Sequence, residues 1–404
     1  MQYKTLFSLS HQDKELYLKE YEKRKQSADT FIFPIQINKN ESFITANWEI
    51  TSLIESIGRK NSVAMKVFTR LPGVAEKYYV RKCLIDEIQT TNDIEGIHST
   101  RKEITEALNA DNKKLARFKG MAKKYEMLLQ DNVDISLHTC KDIRDLYDEI
   151  VRAEIDEKDQ PDGMLFRKST VFVVSPTQQK RHEGLHPEEM IIGALEDALH
   201  ILEQRELPVL VRIAMFHYFF GYIHPFYDGN GRISRFISSY LLKDQYPLLS
   251  LDLSYTIKDN RKKYYHAFQL CNDKRSKGDL TPFAITFLEF LDTASERMCD
   301  NLVEGEKRLQ KLGRLAYENL FIQDKKREKK IDFIFILIQN ALFASESLSV
   351  EELQTHADLS RSSVDKMIKE LISDGIPIEK TKAGKFNRFQ LNLDTFEEIL
   401  ETNK

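Results

Sequence analysis

The chain has 404 residues, enough for two or three domains, and its 41% apolar and 30% charged residues are ordinary for a globular protein. A formal net charge of −3 excludes the basic excess that general nucleic-acid affinity requires, and four scattered cysteines (Cys83, Cys140, Cys271, Cys299) are too few for a disulfide framework or a zinc site. The start lacks a signal-peptide apolar core and no run of about 18 apolar residues occurs, so a reducing, cytoplasmic location without membrane contact is expected.

Residues 13–25 read as a charged helix, and residues 31–37, containing Pro34, as a packed extended arm. Residues 46–57 hold the only tryptophan, Trp48, and read as a helix lying over the core. A helix over 78–91 then leads into Thr91-Asn92-Asp93-Ile94-Glu95-Gly96, where Glu followed by Gly is also an ordinary helix ending. Residues 102–132 form a charged amphipathic stretch whose basic cluster, 113–124, reads as a solvated face, and 135–155 reads as a core helix. From 163 to 176 the period changes, and the β-branched run at Val171, Val173 and Val174 predicts a short strand or hairpin. His186, before Pro187, reads as shaping a turn that enters a helix over 190–203.

The stretch His224-Pro-Phe-Tyr-Asp-Gly-Asn-Gly-Arg-Ile-Ser-Arg235 carries the most chemistry. Leu210, Ile213, Ala214, Phe216, Phe220 and Ile223 predict a buried helix that delivers the chain to His224, where Pro225 disfavours further helix. Ile233, Phe236, Ile237, Tyr240 and Leu241 mark the next helix, so the glycines fall at a helix N-terminus, where free N–H groups and the dipole suit a phosphate. Gly229 and Gly231 permit positive φ and close approach of a ligand to the backbone. Asn230 can orient a phosphate oxygen, and Arg232 and Arg235, one turn apart, can reach the same anion. Asp228 is a hard oxygen ligand of the kind that completes a Mg²⁺ shell with phosphate and water. His224, with an unperturbed pKa of about 6.5, can accept a hydroxyl proton. Phe226 is expected to point into the core and anchor the loop.

After this, Pro282 opens a further amphipathic helix, and the charge run 325–330 marks a boundary before a small module. A helix over 331–342, a second opened by the Ser349/Glu352 capping pattern and a third over 361–373 precede two short strands, 376–380 and 386–391, around a Lys-Ala-Gly-Lys turn. Three helices and a hairpin resemble a winged-helix module. Residues 331–404 carry 8 Lys+Arg against 13 Asp+Glu, a net of −5, which favours an interaction or oligomerisation module over DNA. Ser362, Ser363 and Lys366, with Lys382, Lys385 and Arg388 on the wing, leave DNA contact open.

The twelve residues from His224 to Arg235 match every fixed position of the Fic signature HPFx(D/E)GNGRxxR, so the chain resembles the Fic family over about residues 80–290. The resemblance implies a mainly α fold: a helical Fic-type core with a short β-hairpin flap, here with a C-terminal winged-helix domain. The expected divisions are 1–75, a catalytic domain over 76–300, a linker over 301–330 and the winged helix over 331–404. Implied activity is transfer of AMP from Mg·ATP to a Ser, Thr or Tyr hydroxyl of a target protein or of the chain itself. His224 would be the general base and Asp228 would hold Mg²⁺. Asn230 with the Gly229 and Gly231 amides would cradle the α and β phosphates, and Arg232 and Arg235 would grip the polyphosphate. Thr91, Glu95 and Gly96 match the family's inhibitory pattern (S/T)xxxE(G/N), which implies that Glu95 competes with the γ-phosphate for Arg235. A target segment would pair with the flap near 168–176. Tyr264 is the residue chosen to stack on the adenine, and Phe283 stands where many relatives have tryptophan. Two alternatives stay open: a hydrolase that removes AMP at the same site, and a nucleotide-sensing DNA-binding regulator. The signature reads phosphates rather than the base, so UTP remains a donor to consider. A homo-oligomer is compatible with the sequence.

Overall fold

The computed structural model describes residues 3–109, 117–130, 134–174, 180–383 and 386–402. Part of the basic cluster at 113–124, the end of the flap stretch at 175–176 and two residues of the 382–385 turn lie outside the described residues. Contacts divide the chain into two compact units, one of residues 1–61 with 84–296 and one of residues 62–83 with 297–404.

In the first unit, Asp13 caps the helix Lys14–Lys25, and the strand Thr30–Ile37 pairs antiparallel with Asn40–Thr45 in the register Thr30 to Thr45 and Ile37 to Asn40. Trp48 opens the helix Trp48–Phe68 but is 82% exposed, so it does not cover the core as its size suggested. It occupies the first turn, and the faces buried beside it belong to Ile50 and Ile57. The helix Gly73–Ile94 begins in the second unit and ends in the first, where Gly96 with φ +75° stops it. The charged stretch that follows forms two short helices, Arg101–Leu108 and Lys119–Met127, rather than one.

Three helices carry the centre of this unit. Thr139 and Asp142 make a capping box for Cys140–Ile150, which buries Cys140, Ile143, Leu146, Tyr147 and Ile150 on one stripe. Val209–Ile223 is apolar nearly all round and correspondingly buried. Asn230–Leu242 follows it after six loop residues, so the first half of the signature lies in the loop and the second half in this helix. A short hairpin, Phe172–Val174 with Lys180–Glu183, lies ahead of the helix Glu188–Glu203.

In the second unit the helices Arg327–Phe343, Val350–Ala357 and Arg361–Ser373 are followed by the strands Ile378–Ala383 and Phe386–Leu391. A two-residue strand, Leu348–Ser349, pairs with Phe386–Leu391, which puts the latter in the middle of a three-stranded sheet. Val364, Met367, Ile368 and Leu371 face the core of this unit, whereas Ile372 is exposed. Among the described residues no helix is long and apolar enough to cross a membrane.

Candidate active site

The helix Val209–Ile223 ends where Pro225 requires it to, and His224 turns the chain in a left-handed conformation with φ +54°. Its amide donates to the Phe220 carbonyl at 3.0 Å, and its carbonyl accepts from Arg167 Nε at 2.9 Å. Arg167 is itself buried and spends its other donors on the carbonyls of Ser169 and Leu185, at 2.6 and 2.7 Å. One guanidinium thus ties the loop that starts at His224 to the segments on either side of the hairpin. Nothing in the local sequence pattern marked it. Its partners are main-chain oxygens two, 18 and 57 residues away, which leave no periodic signal.

Phe226 is fully buried and stacks on Tyr147 with centroids 3.9 Å apart. The Asn230 side chain is spent inside the loop: its Oδ1 accepts from the Phe226 amide at 2.9 Å, and its Nδ2 donates to the Phe226 carbonyl at 2.8 Å. Asn230 therefore staples the turn in this structure. Gly229 adopts φ +83°, a conformation that favours glycine, and the helix Asn230–Leu242 starts after it without a side-chain cap. The first amides of that helix are left to whatever anion settles there.

Both arginines of the loop are buried, and each meets a carboxylate. Arg235 donates Nε to Thr91 Oγ1 at 2.8 Å and Nη2 to the Thr91 carbonyl at 3.0 Å and to Glu95 Oε1 at 2.7 Å. A Cβ on Gly231 would stand 2.0 Å from the same Glu95 oxygen, so the carboxylate lies directly on the glycine that opens the helix. Burial alone would raise the Glu95 carboxyl, but the charge of Arg235 and its hydrogen bond, with Arg232 and Arg261 behind, bring it below the usual range. Gly96 only ends the helix. Arg232 donates Nη1 to Glu154 Oε2 at 3.0 Å, with Asp228 Oδ2 3.9 Å from Nη2. Glu154 was not singled out in the sequence. It sits in a charged stretch with no pattern of its own, and only folding brings it to an arginine 78 residues away.

His224, Glu95, Gly231, Arg235 and Tyr264 share the wall of a cavity of about 120 Å³. Burial pushes the His224 imidazole down to about 4, with the nearby His182 and Arg167 adding to the effect. It is neutral at pH 7 and able to take a proton. The Tyr264 hydroxyl hydrogen-bonds His217 Nε2 at 2.8 Å. His217 is buried, held down to about 3 chiefly by burial, and reaches Ser238 Oγ with Nδ1 at 2.9 Å. Nδ1 also lies 3.1 Å from Ser234 Oγ, and Ser238 Oγ donates to the Ser234 carbonyl at 2.8 Å, so both ring nitrogens of His217 are engaged. The phenol end of Tyr264 is thus anchored inward beside Arg235.

The residues fit a magnesium nucleotide. Arg232 Nε and Nη2 are buried without a hydrogen-bond partner, and they are donors of the kind a phosphate oxygen accepts. Among the described residues no three His, Cys, Asp or Glu side chains gather as a metal cage. Asp228, with its side chain 52% exposed, is a lone carboxylate of the sort that holds Mg²⁺ when phosphate and water supply the other oxygens.

The chain is similar to two proteins called Protein adenylyltransferase Fic. That of Drosophila willistoni is 30% identical over 165 residues, 40% of this chain and 28% of the relative. That of Drosophila melanogaster is 30% identical over 182 residues, 45% of this chain and 32% of the relative. The chain thus covers less than a third of the length of these relatives. A solved structure described as a Fic family protein from Desulfovibrio desulfuricans G20 shares the fold, with a TM-score of 0.50 and 22% identity over 86% of this chain and 97% of that one. Residues 137–242, which include the loop from His224 to Arg235 and its helix, match the model of the Fic/DOC family.

Proposed function

We propose that this chain is an autoinhibited protein adenylyltransferase that transfers AMP from Mg·ATP to a target hydroxyl. The observation that carries the reading is the grouping of a neutral imidazole, His224, with two buried guanidinium groups at an uncapped helix N-terminus. Arg232, Arg235 and the amide of Gly231 bind and orient the polyphosphate, the Gly229 amide being taken by Asp228 Oδ1 at 2.6 Å until a ligand displaces it, and Asp228 would hold a magnesium ion that offsets phosphate charge. His224 accepts the proton of the target hydroxyl as its oxygen bonds to the α-phosphorus. The bond from that phosphorus to the bridging oxygen breaks, and pyrophosphate leaves. Tyr264, fixed by His217, supplies a wall for the base. Glu95 on Arg235 is the inhibitory contact, since a carboxylate and a phosphate compete for one guanidinium donor.

The target segment docks as an added strand on the flap, where main-chain pairing gives affinity with little sequence preference. The winged-helix module of residues 331–404 is a protein-interaction or oligomerisation element, with DNA the less favoured partner given its negative charge. A second reading, hydrolysis of AMP–protein bonds, draws on one observation: the ionised Glu95 carboxylate shares the cavity wall with His224 and could orient water.

Incubation with labelled ATP tests the proposal. Glu95→Gly transfers label to protein and the further change His224→Ala removes it. Label transfer that survives His224→Ala would sink the assigned base. Release of AMP from a modified target by wild type, but not by the Glu95 variant, would favour hydrolysis.

A further inference from the structure

Arg232 and Glu154 form a second carboxylate–arginine pair in the site, and its geometry differs from that of Glu95 and Arg235. The Arg232 side chain is fully buried, at 0% exposure. Glu154 takes only Nη1, at 3.0 Å. Nε and Nη2 have no hydrogen-bond partner, and Asp228 lies 3.9 Å from Nη2, beyond hydrogen-bond length. Nε and Nη2 make up the side edge of the guanidinium, which meets a phosphate with two parallel hydrogen bonds.

Glu154 is placed by the loop it serves. It ends the short turn Arg152–Glu154, where its amide donates to the Val151 carbonyl at 2.9 Å. The same turn packs on the glycine turn: a Cβ on Gly229 would come 3.0 Å from Val151 Cγ2 and 3.7 Å from Ile155 Cδ1. The helix before it, Cys140–Ile150, carries the Tyr147 ring that stacks on Phe226. Carboxylate, loop and arginine are therefore fixed against one another before any ligand arrives.

We infer that Glu154 is a positioning residue that holds Arg232 by one nitrogen so that its remaining edge is set to receive a phosphate of the nucleotide. The inference rests on the nucleotidyl-transfer reading above and assigns a role to a residue outside the signature. Glu154 and phosphate occupy different donors, so the carboxylate does not compete with the ligand. An arginine without it would lose its orientation and swing among rotamers, and a buried charge would lose its partner.

Calorimetric binding to the full chain tests this in a Glu95→Gly background, with ATP, pyrophosphate and adenosine as separate probes. Adding Glu154→Ala is expected to weaken ATP and pyrophosphate about tenfold, the size of one charge-assisted hydrogen bond. Glu154→Gln, which keeps an acceptor on Nη1 and guards against a folding defect, should weaken them about threefold. Adenosine affinity should hold in both. Equal losses for ATP and adenosine would make Glu154 merely structural, unchanged pyrophosphate affinity would remove it from the site, and tighter binding would make it a competitor. Any of the three overturns the inference. Pyrophosphate binding without ATP binding would instead leave Glu154 in place and remove the nucleotide reading.

Discussion

Arg232 and Arg235 sit one helical turn apart, are equally buried and each meet one glutamate, yet the two pairs differ in sign and in consequence. Glu95 is drawn below the usual carboxyl range because three arginines face it. Burial raises Glu154 to about 7, outweighing the attraction of Arg232 and Arg117. Arg235 also has Thr91 on two of its donors, so with Glu95 bound most of its hydrogen-bonding capacity is spent. Arg232 leaves Nε and Nη2 buried and without a hydrogen-bond partner. On the function and the inference proposed above, the same residue pair would act as a stop in one place and a brace in the other, with the carboxylate on Nη2 of Arg235 and on Nη1 of Arg232.

The sharpest way to separate grip from chemistry is to remove the base and leave both pairs alone. His224→Ala should lower AMP transfer by about 10²- to 10⁴-fold, the span of general base catalysis, while ATP affinity stays within about twofold. A parallel fall in affinity would show His224 to be part of the phosphate grip.

Next in size is the stop. Glu95→Gly should raise transfer by about tenfold or more, since it returns one buried donor to the phosphate. Glu154→Gln should give no gain. A gain from both variants would erase the distinction between the pairs.

The pH dependence bears on the same division. With the His224 pKa at about 4, its base form is full above pH 5, so kcat at saturating ATP in the Glu95→Gly variant should be level from pH 6 to 8. It should fall as pH drops through about 4 to 5. Saturation matters, because Glu154 titrates at about 7 and its protonation would show in KM rather than kcat. A kcat that halves near pH 6.5, the ordinary imidazole value, would place His224 in a more hydrated setting than the structure gives it.

How much of this was legible in the sequence follows from where each signal came from. The helices on either side of the loop were readable because their apolar residues repeat at helical spacing, and Pro225 fixed where the first one stops. The meeting of Glu95 with Arg235 was readable through a resemblance, not through any local pattern. Asn230 was read as a phosphate ligand from its place between two glycines, whereas its amide closes on Phe226, since a buried turn must satisfy its own backbone first. Glu154 and Arg167 left no trace, because a single charged residue says nothing about a partner brought to it by the fold. Trp48 misled in the opposite sense, as bulk favours burial without requiring it.

The last expected effect is on stability rather than on transfer, and concerns what holds the segment bearing Glu95 in place. Glu87 lies two turns before Glu95 on the helix Gly73–Ile94, is buried, and accepts from the Ser254 amide at 2.9 Å and from its hydroxyl. Burial raises its carboxyl to about 7 against those hydrogen bonds, with nearby Asp252 raising it further and Arg235 opposing weakly. The folded state therefore binds a proton that the unfolded chain releases near 4.5, and stability must decline as pH rises through that window up to about 7. The loss is on the order of 3 kcal/mol for a shift of this size. Urea midpoints at pH 5 and pH 8 should differ less for Glu87→Gln than for wild type, because the variant carries no charge to bury. Glu154 contributes a decline of the same sign to both proteins, so it cancels in the comparison. Identical pH slopes for the two would mean that Glu87 is already hydrated in the fold, and that the segment bearing Glu95 is held by its other contacts, Thr91 with Arg235 and Asp93 with Lys258.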